Sequence, residues 1–288
     1  MFDFDILDSK THLGESGFYL NRTNEIVFLD LIKPSLIFYS IDNKILTKLN
    51  LKLKKPLGNV YPLNDNNFII SSYEGMHIYN RKKKTLKYFN DIRKINELND
   101  ISYNDGTISK NKLWIGLSHI KESKNLGYFG YLQNKNFVTI DKGFKVSNGP
   151  AIDEKKGYLY FSDSSKSSIY QYNLKNLKKK TLIKFKKNQG FPDGITLDNK
   201  NGLWVAHWAG GQVSRVNLNS KKIDFNIKLP ALNVTSVTFV GKKLNHLFIT
   251  TAKIETSKNH LKNYKYSGSS FIIKTEYTGL KIPYYNMR

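Results

Sequence analysis

Hydrophobic and polar residues alternate along most of the chain, in short apolar runs separated by turn-forming residues. Six of these runs share a similar apolar core, and their centres lie 42 to 46 residues apart. The cores are IVFLD near Phe28, FIISS near Ile70, LWIGL near Ile115, LYFSD near Phe161, LWVAH near Val205 and LFITT near Ile249. Such a spacing is typical of the four-stranded blades of a propeller. The pattern therefore predicts six copies of a β-sheet unit.

A second alternating segment follows several of the cores after a short turn. Examples are EGMHIYN (74–80), SSIYQYN (167–173) and GQVSRVN (211–217). Alternation bounded by Gly, Asn and Asp predicts half-buried antiparallel strands, and helical periodicity is hard to find. We predict an all-β fold, a six-bladed β-propeller that occupies residues 1–288 as a single domain. The main alternative, a pair of β-sandwiches, does not predict six evenly spaced copies.

The composition limits the chemistry and the compartment. The 288 residues include no cysteine, which excludes disulfides, thiolate metal sites and a cysteine nucleophile. The first residues, MFDFDILDSK, are acidic where a signal peptide needs a basic region, and no apolar run reaches membrane-spanning length. These features predict a cytoplasmic protein without a membrane partner.

The charge balance is strongly basic, with a formal net charge of +23. Such a balance is the first sign of a nucleic-acid binder, but proteins that read bases and phosphates favour arginine for its bidentate fork. Only five of the 46 basic residues are arginine, namely Arg22, Arg81, Arg93, Arg215 and Arg288. We interpret the lysines as a compositional bias and predict no nucleic-acid partner. A polyanion-binding propeller, recognisable by steeply salt-sensitive binding, is the alternative.

Oxygen-bearing side chains beside a glycine precede four of the six cores. They are Glu15 in HLGESGFYL, Asn104 and Asp105 in SYNDGTIS, Asn148 in VSNGPAID and Asp193 in GFPDGITL. The first strand of each propeller blade lines the central channel, and the loops that enter these strands meet at one mouth. Residues far apart in sequence can therefore converge there.

The segment around Asp193 predicts a tight turn, because Pro192 fixes φ and Gly194 accepts any φ. A Glu, an Asn and an Asp brought together at the mouth supply hard oxygen donors with two negative charges. This donor set suits one divalent metal ion, Ca²⁺, Mg²⁺, Mn²⁺ or Zn²⁺. So few protein ligands leave coordination positions for water or substrate.

Several segments resemble the SMP-30/gluconolactonase/regucalcin family, in the right order and over nearly the whole chain. They are LGESGFYL, YNDGTISKNKLWIG, SNGPAIDEKKGYLYFSDSSKSSIYQYN, GFPDGITLDNKNGLWVAHWAGGQVSRVN and VTSVTFVGKKLNHLFITTA. The resemblance implies a six-bladed propeller with a divalent metal in the channel, and an enzyme that hydrolyses a sugar lactone.

The resemblance also implies roles for individual residues. Glu15, Asn148 and Asp193 match the metal ligands, Asn104 matches a substrate-contacting asparagine, and Glu122 in SHIKES lies where members often place an acidic substrate contact. Many members have an arginine at the position of Ser102, so the identity of the lactone stays open here. His207, which follows the fifth core, is a further candidate for the pocket wall.

These observations predict a metal-dependent lactonase that opens a sugar lactone to the aldonic acid, with Asp193 as the general base. The expected partner is a small-molecule sugar lactone, and the expected state is a monomer or weak homo-oligomer. The alternative function is a non-catalytic calcium- or metal-binding regulatory propeller.

Overall fold

The computed structural model describes residues 4–95, 98–133 and 135–287, which form six four-stranded antiparallel sheets arranged in a ring. This arrangement confirms the predicted six-bladed β-propeller. The predicted domain limits, Met1 and Arg288, lie outside the described residues. No helix in the described part of the chain is long and apolar enough to cross a membrane.

The strands in chain order are β1 (Asp5–Leu7), β2 (Gly14–Leu20), β3 (Glu25–Asp30), β4 (Ser35–Ser40), β5 (Ile45–Asn50), β6 (Leu57–Pro62), β7 (Asn67–Ser72), β8 (Gly75–Asn80), β9 (Thr85–Asn90), β10 (Ile101–Ser109), β11 (Lys112–His119), β12 (Gly127–Gln133), β13 (Asn136–Phe144), β14 (Ser147–Asp153), β15 (Tyr158–Asp163), β16 (Ser168–Asn173), β17 (Lys179–Lys184), β18 (Phe191–Leu197), β19 (Gly202–Trp208), β20 (Gln212–Asn217), β21 (Lys222–Lys228), β22 (Asn233–Val240), β23 (His246–Ala252) and β24 (Ser270–Lys274). The short helices are α1 (Ile92–Ile95) and α2 (Lys258–Asn263), and single 3₁₀ turns cover Ser164–Lys166 and Lys187–Gln189.

Blades 1 to 5 each contain four consecutive strands, beginning with β2, β6, β10, β14 and β18. Blade 6 combines β22, β23 and β24 with β1, so the N-terminal strand supplies the outer edge of the last blade. Leu7 of β1 pairs with Ser270 of β24. The first and last strands of the chain are thereby joined in one sheet, which closes the ring.

The six recurrent apolar cores form the second strand of each blade, counted from the channel. In β3, for example, Ile26 to Leu29 are fully buried. Sheets of neighbouring blades cover both faces of these strands, which explains why the cores are continuous apolar runs. Most residues of the outer strands β5, β9 and β17 are exposed or half-buried, and lysines there discourage pairing of the sheet edge with other chains.

The innermost strand of every blade carries a β-bulge at an equivalent place. Two residues of the inner strand face one residue of the second strand at each bulge. The bulged pairs are Ser16–Gly17, Gly58–Asn59, Asn104–Asp105, Gly149–Pro150, Asp193–Gly194 and Thr235–Ser236. A bulge redirects side chains and increases the local twist, so this ring of bulges sets which groups face the channel.

The C-terminal segment 275–287 crosses the mouth of the channel at which the inner strands end. Its backbone donates hydrogen bonds from Leu280 to Leu197 O (3.1 Å) and from Tyr285 to Pro62 O (2.9 Å). Ile282 lines the channel itself. This mouth is therefore covered, and the predicted site lies at the other one.

Candidate metal centre and substrate cavity

Asp193 lies inside strand β18 at its bulge, and not in the tight turn that Pro192 and Gly194 predict. Glycine is required at position 194 by close packing between blades. A Cβ atom there would lie 2.8 Å from the Cα of Ser236 in the neighbouring inner strand. The prediction of a turn was wrong because the proline and glycine serve the bulge and this close contact.

The other predicted ligands occupy the same level of the ring. Glu15 and Asn148 directly precede the bulges of β2 and β14, while Asn104 lies within the bulge of β10. Because the inner strands are arranged in a ring, residues at the same level converge on the channel axis. Sequence repeats about 45 residues apart thus become neighbours in space.

Five of the predicted site residues line one cavity of about 270 Å³, namely Glu15, Asn104, Glu122, Asn148 and Asp193. Glu15 and Asp193 are buried, whereas Glu122 stands at the exposed mouth. Apolar side chains complete much of the wall, and they are Leu13, Leu31, Val146, Phe191, Trp208 and Ile254. The cavity combines buried carboxylates with a partly apolar wall that opens to solvent.

His207 and Ser102 are not among the described residues that line this cavity. The His207 side chain is fully buried, with its Nε2 atom 2.7 Å from Ser214 Oγ and its ring edge-on to Phe185. Burial lowers the pKa of His207 to about 3, so the ring is neutral. A substrate therefore cannot reach His207 in this structure. Ser102 lies in β10, opposite Ser118.

A chain of hydrogen bonds links blades 3, 4 and 5 at the base of the cavity. Asn104 Nδ2 donates to Asn148 Oδ1 at 2.7 Å, and Asn148 Nδ2 donates to Ser164 Oγ at 2.9 Å. The Ser164 hydroxyl in turn donates to the carbonyl oxygen of Pro192 at 2.6 Å, next to Asp193. These bonds hold the Asn148 side chain with its oxygen toward Asn104. The oxygen keeps a second lone pair for another partner.

The buried carboxylates affect one another strongly. Burial raises the pKa of Asp193 well above its usual range, and the charges of Glu15, Asp105 and Glu122 raise it further. Burial, and then the charge of Asp105, raise the pKa of Glu15 in the same way, although the backbone N–H of Ser16 stabilises its anion. Burial raises the pKa of Asp105, deeper in the channel, to about 7.

Within the described part of the chain, no positively charged side chain pairs with these groups. None of the ion pairs between described residues includes Glu15, Asp105 or Asp193. A buried carboxylate without a counter-charge is costly, so this arrangement favours binding of a cation.

The donors present fit a hard divalent cation. Among the residues that the structure describes, no group of three His, Cys, Asp or Glu side chains could hold an ion. The predicted set of Glu15, Asn148 and Asp193 therefore depends on an amide oxygen beside two carboxylates. Oxygen donors of this kind match Ca²⁺, Mg²⁺ or Mn²⁺, and carboxylate oxygens also accept Zn²⁺.

Two acidic residues received no role from the sequence. Asp105 lies next to Asn104 in the bulge of β10, where Asn59 Nδ2 donates to its Oδ1 atom at 3.1 Å. The oxygen-rich SYNDG segment was a usable signal for it. Glu255 lines the mouth from the loop after β23. No local pattern marks Glu255, because only the ring closure brings this loop to the cavity.

Comparison with known proteins adds three findings. The sequence-family model that describes the SMP-30/Gluconolactonase/LRE-like region matches residues 13–253 of this chain. The putative sugar lactone lactonase YvrE of Bacillus subtilis is 23% identical, and the match covers 94% of each chain. A 6-deoxy-6-sulfogluconolactonase of Pseudomonas putida is 27% identical over 63% of this chain and 64% of its own.

Among solved structures, the calcium-binding protein regucalcin from Agrobacterium tumefaciens superposes with a TM-score of 0.91. The match covers 99% of this chain and 98% of that protein, at 18% sequence identity. At this identity the likeness establishes the propeller fold.

Proposed function

The chain belongs to the SMP-30/gluconolactonase/LRE-like family, and from this premise we propose that it is a divalent-metal-dependent hydrolase that opens a sugar lactone to its aldonic acid. The family match confirms the resemblance seen in the sequence. Relatives named as lactonases support the reaction class. The observation that carries the proposal is the convergence of Glu15, Asn148 and Asp193 in one cavity, where neither carboxylate forms an ion pair with a described Lys, Arg or His side chain.

Glu15, Asn148 and Asp193 would hold the metal ion. When bound, a divalent cation polarises a carbonyl oxygen and lowers the pKa of a coordinated water toward about 7. Few protein ligands are involved, so coordination positions stay available for water and substrate.

Asp193 would act as the general base. Its carboxylate accepts a proton from the water that attacks the lactone carbonyl carbon, and the ring C–O bond then breaks to give the hydroxy acid. In the metal-free protein, burial and neighbouring carboxylates raise the pKa of Asp193. A bound cation would favour the charged form of this carboxylate, which is the form that accepts a proton. The Ser164 hydroxyl, which accepts a hydrogen bond from Asn148, donates to the carbonyl oxygen of Pro192 and so ties the strand of Asp193 to blade 4.

Asn104 and Glu122 would position the substrate. Asn104 lies beside Asn148 at the base of the cavity, and Glu122 lies at its mouth. The aromatic side chains of Trp208 and Phe191 offer apolar faces to the sugar ring. The volume of about 270 Å³ suits a small ligand such as a monosaccharide lactone.

A non-catalytic metal-binding propeller is the second candidate. The same buried carboxylates would favour cation binding whether or not a substrate is turned over. A binder would be stabilised by the metal without hydrolysing any lactone, because a ligand that binds only the folded state raises its stability.

The experiment that tests the proposal measures proton release from aldonolactones by protein treated with a chelator. The panel contains gluconate, galactonate, arabinonate and xylonate lactones, and Ca²⁺, Mg²⁺, Mn²⁺ or Zn²⁺ is restored singly. We expect hydrolysis only with metal, and a large loss of metal affinity in Glu15→Gln. Glu276→Gln removes an exposed carboxylate elsewhere and serves as the control. Metal binding without hydrolysis of any lactone would instead support the binding protein.

A further inference from the structure

The cavity is acidic although the protein is strongly basic. Its described lining residues include four carboxylates, those of Glu15, Glu122, Asp193 and Glu255, and no Lys, Arg or His. The chain as a whole carries a formal net charge of +23. The local charge around a bound substrate is therefore opposite in sign to the charge of the whole molecule.

Two of these carboxylates stand at the exposed mouth, where an incoming ligand passes. Glu122 lies in the loop between β11 and β12, and Glu255 lies in the loop after β23. Neither forms an ion pair with another described residue. A divalent cation held by Glu15 and Asp193 would neutralise those two groups and leave the charges at the mouth unbalanced.

The neutral polar groups of the wall offer few free donors to an anion. The side-chain N–H groups of Asn104 and Asn148 donate to Ser147 O, Asn148 Oδ1 and Ser164 Oγ. The Ser164 and Ser165 hydroxyls donate to Pro192 O and Asp163 Oδ1. A phosphate, sulfonate or second carboxylate needs donors or cations that this wall does not supply.

We propose that Glu255 and Glu122 form a charge filter that admits uncharged sugar lactones and rejects anionic ones. This inference rests on the proposed function and narrows its substrate class. Lactones that carry a phosphate or a second carboxylate pass the two glutamates, and no Lys, Arg or His among the described residues of the cavity wall compensates their charge. Uncharged lactones donate hydroxyl hydrogen bonds to the same carboxylates, and their rings contact the apolar wall.

Matched pairs of lactones test the filter by turnover. One pair is D-glucono-1,5-lactone and its 6-phosphate, and the other is D-glucono-1,4-lactone and D-glucaro-1,4-lactone, which carries one additional carboxylate. We expect kcat/KM to be at least tenfold higher for the uncharged member of each pair. An equal or higher value for the anionic member would overturn the filter, and hydrolysis of the uncharged member would leave the lactonase proposal standing.

Isosteric variants show which carboxylates cause the preference for uncharged lactones. Glu255→Gln should reduce the ratio between uncharged and anionic lactones about two- to fivefold, the size of one exposed charge interaction. The double variant Glu122→Gln/Glu255→Gln should reduce the ratio further, by about tenfold in total if the two free-energy effects add. Glu276→Gln makes the same change in net charge at an exposed site and should leave the ratio unchanged. Equal reductions in all variants would assign the preference to overall charge and overturn the filter.

Binding of inert analogues separates this inference from the proposed reaction. D-glucono-1,5-lactam and its 6-phosphate are titrated calorimetrically into the calcium-loaded protein at 0.15 M salt. Tighter binding of the uncharged lactam than of its phosphate supports the filter, even if no lactone is hydrolysed. The ratio of the two affinities should be smaller in Glu255→Gln. If the uncharged lactam binds no more tightly than its phosphate, the filter is overturned whatever the enzyme assay shows.

Discussion

The Asp193 side chain is buried, borders the cavity and lies close to other carboxylates. A structural aspartate at such a depth usually pairs with a cation, as Asp198 does with Arg215 at 2.7 Å. Asp193 has instead the backbone N–H of Gly194 among the groups that stabilise its anion. The contrast between these two buried aspartates is the physical basis for giving Asp193 a functional role.

Replacement of Asp193 by asparagine separates its two proposed roles. Asparagine keeps one oxygen for a metal but cannot accept a proton, so we expect weaker metal binding and a kcat at least 100-fold lower at saturating metal. Metal titration calorimetry and initial rates measure the two effects. Asp8→Asn, at an exposed position, is the control. Normal turnover of Asp193→Asn at saturating metal would rule it out as the base.

Asp105 makes the stability of the metal-free protein depend on pH. An aspartate in the unfolded chain loses its proton near pH 4, whereas burial raises the pKa of Asp105 in the fold to about 7. Between these values the folded state binds more protons than the unfolded state. Its stability therefore falls as the pH rises, and the loss is complete above about pH 7.

Asp105→Asn should consequently stabilise the metal-free protein by about 4 kcal/mol at pH 8 and have little effect at pH 4. The asparagine oxygen can still accept the hydrogen bonds from Asn59 and from the backbone N–H of Gly106. Urea unfolding of chelator-treated protein at both pH values measures the difference. An equal gain at pH 4 and pH 8 would show that burial of the charged Asp105 carboxylate is not the cause.

At the scale of the strand, the bulge is the device that builds the site. The residue after Glu15 and the residue after Asn148 both have positive φ, with Ser16 at 59° and Gly149 at 70°. A left-handed residue at this point turns the backbone, and the side chain before it then faces the cavity. The same local conformation in two blades thus positions two proposed metal ligands.

Gly149→Ala tests this role of the bulge. A Cβ atom at position 149 would lie 2.8 Å from Ile195 Cγ1, in addition to the cost of φ at 70°. We expect a loss of about 2 to 3 kcal/mol in unfolding free energy. We also expect weaker metal binding, because the substitution displaces the side chain of the neighbouring Asn148.

Gly157→Ala is the matched control for that substitution. Gly157 has φ at 69° and no atom within 4 Å of its added Cβ, so the variant reports the backbone cost alone. Chemical unfolding and metal titration of both variants separate the two contributions. Equal losses of stability and unchanged metal affinity in both would contradict the proposed role of the bulge.

The sequence predicts the strands better than their irregularities. The six apolar cores identify the second strands because burial on both faces forces continuous apolar runs, as in LWVAH. The turn expected at Asp193 is a bulge instead, because the close contact of Gly194 with Ser236 comes from another blade. His207 does not line the pocket as expected, for a related reason. Successive residues of a strand point to opposite sides, so Trp208 lines the cavity while the His207 side chain is buried.

At the scale of the whole molecule, the N-terminal and C-terminal segments have different structural roles. The N-terminal strand β1 completes blade 6, while the C-terminal segment 275–287 covers the far mouth of the channel. Local patterns predict neither arrangement, because both depend on residues more than 200 positions apart, such as Tyr284 and Asp65. The acidic cavity is likewise invisible in a net charge of +23.

Removal of residues 1–7 tests both the closure of the ring and the predicted single domain. The truncation exposes the edge of β24 and removes the buried side chain of Leu7, so we expect a loss of about 2 to 4 kcal/mol and concentration-dependent association. Association follows because an unpaired strand edge offers its backbone groups to a second chain. A variant with only Ile6→Ala keeps the strand and loses a side chain that is already 39% exposed, which makes it the control.

Calorimetry and near-ultraviolet circular dichroism then report how the ring unfolds. If the six blades form one domain closed by β1, the full-length chain unfolds in a single transition seen at the same temperature by both methods. The truncated chain loses the pairing of β1 with β24, which connects the first blade to the last. Its transition should therefore shift to lower temperature and broaden. Two separate transitions in the full-length chain would contradict the single domain. An unchanged transition after truncation would show that contacts between neighbouring blades hold the ring without the N-terminal strand.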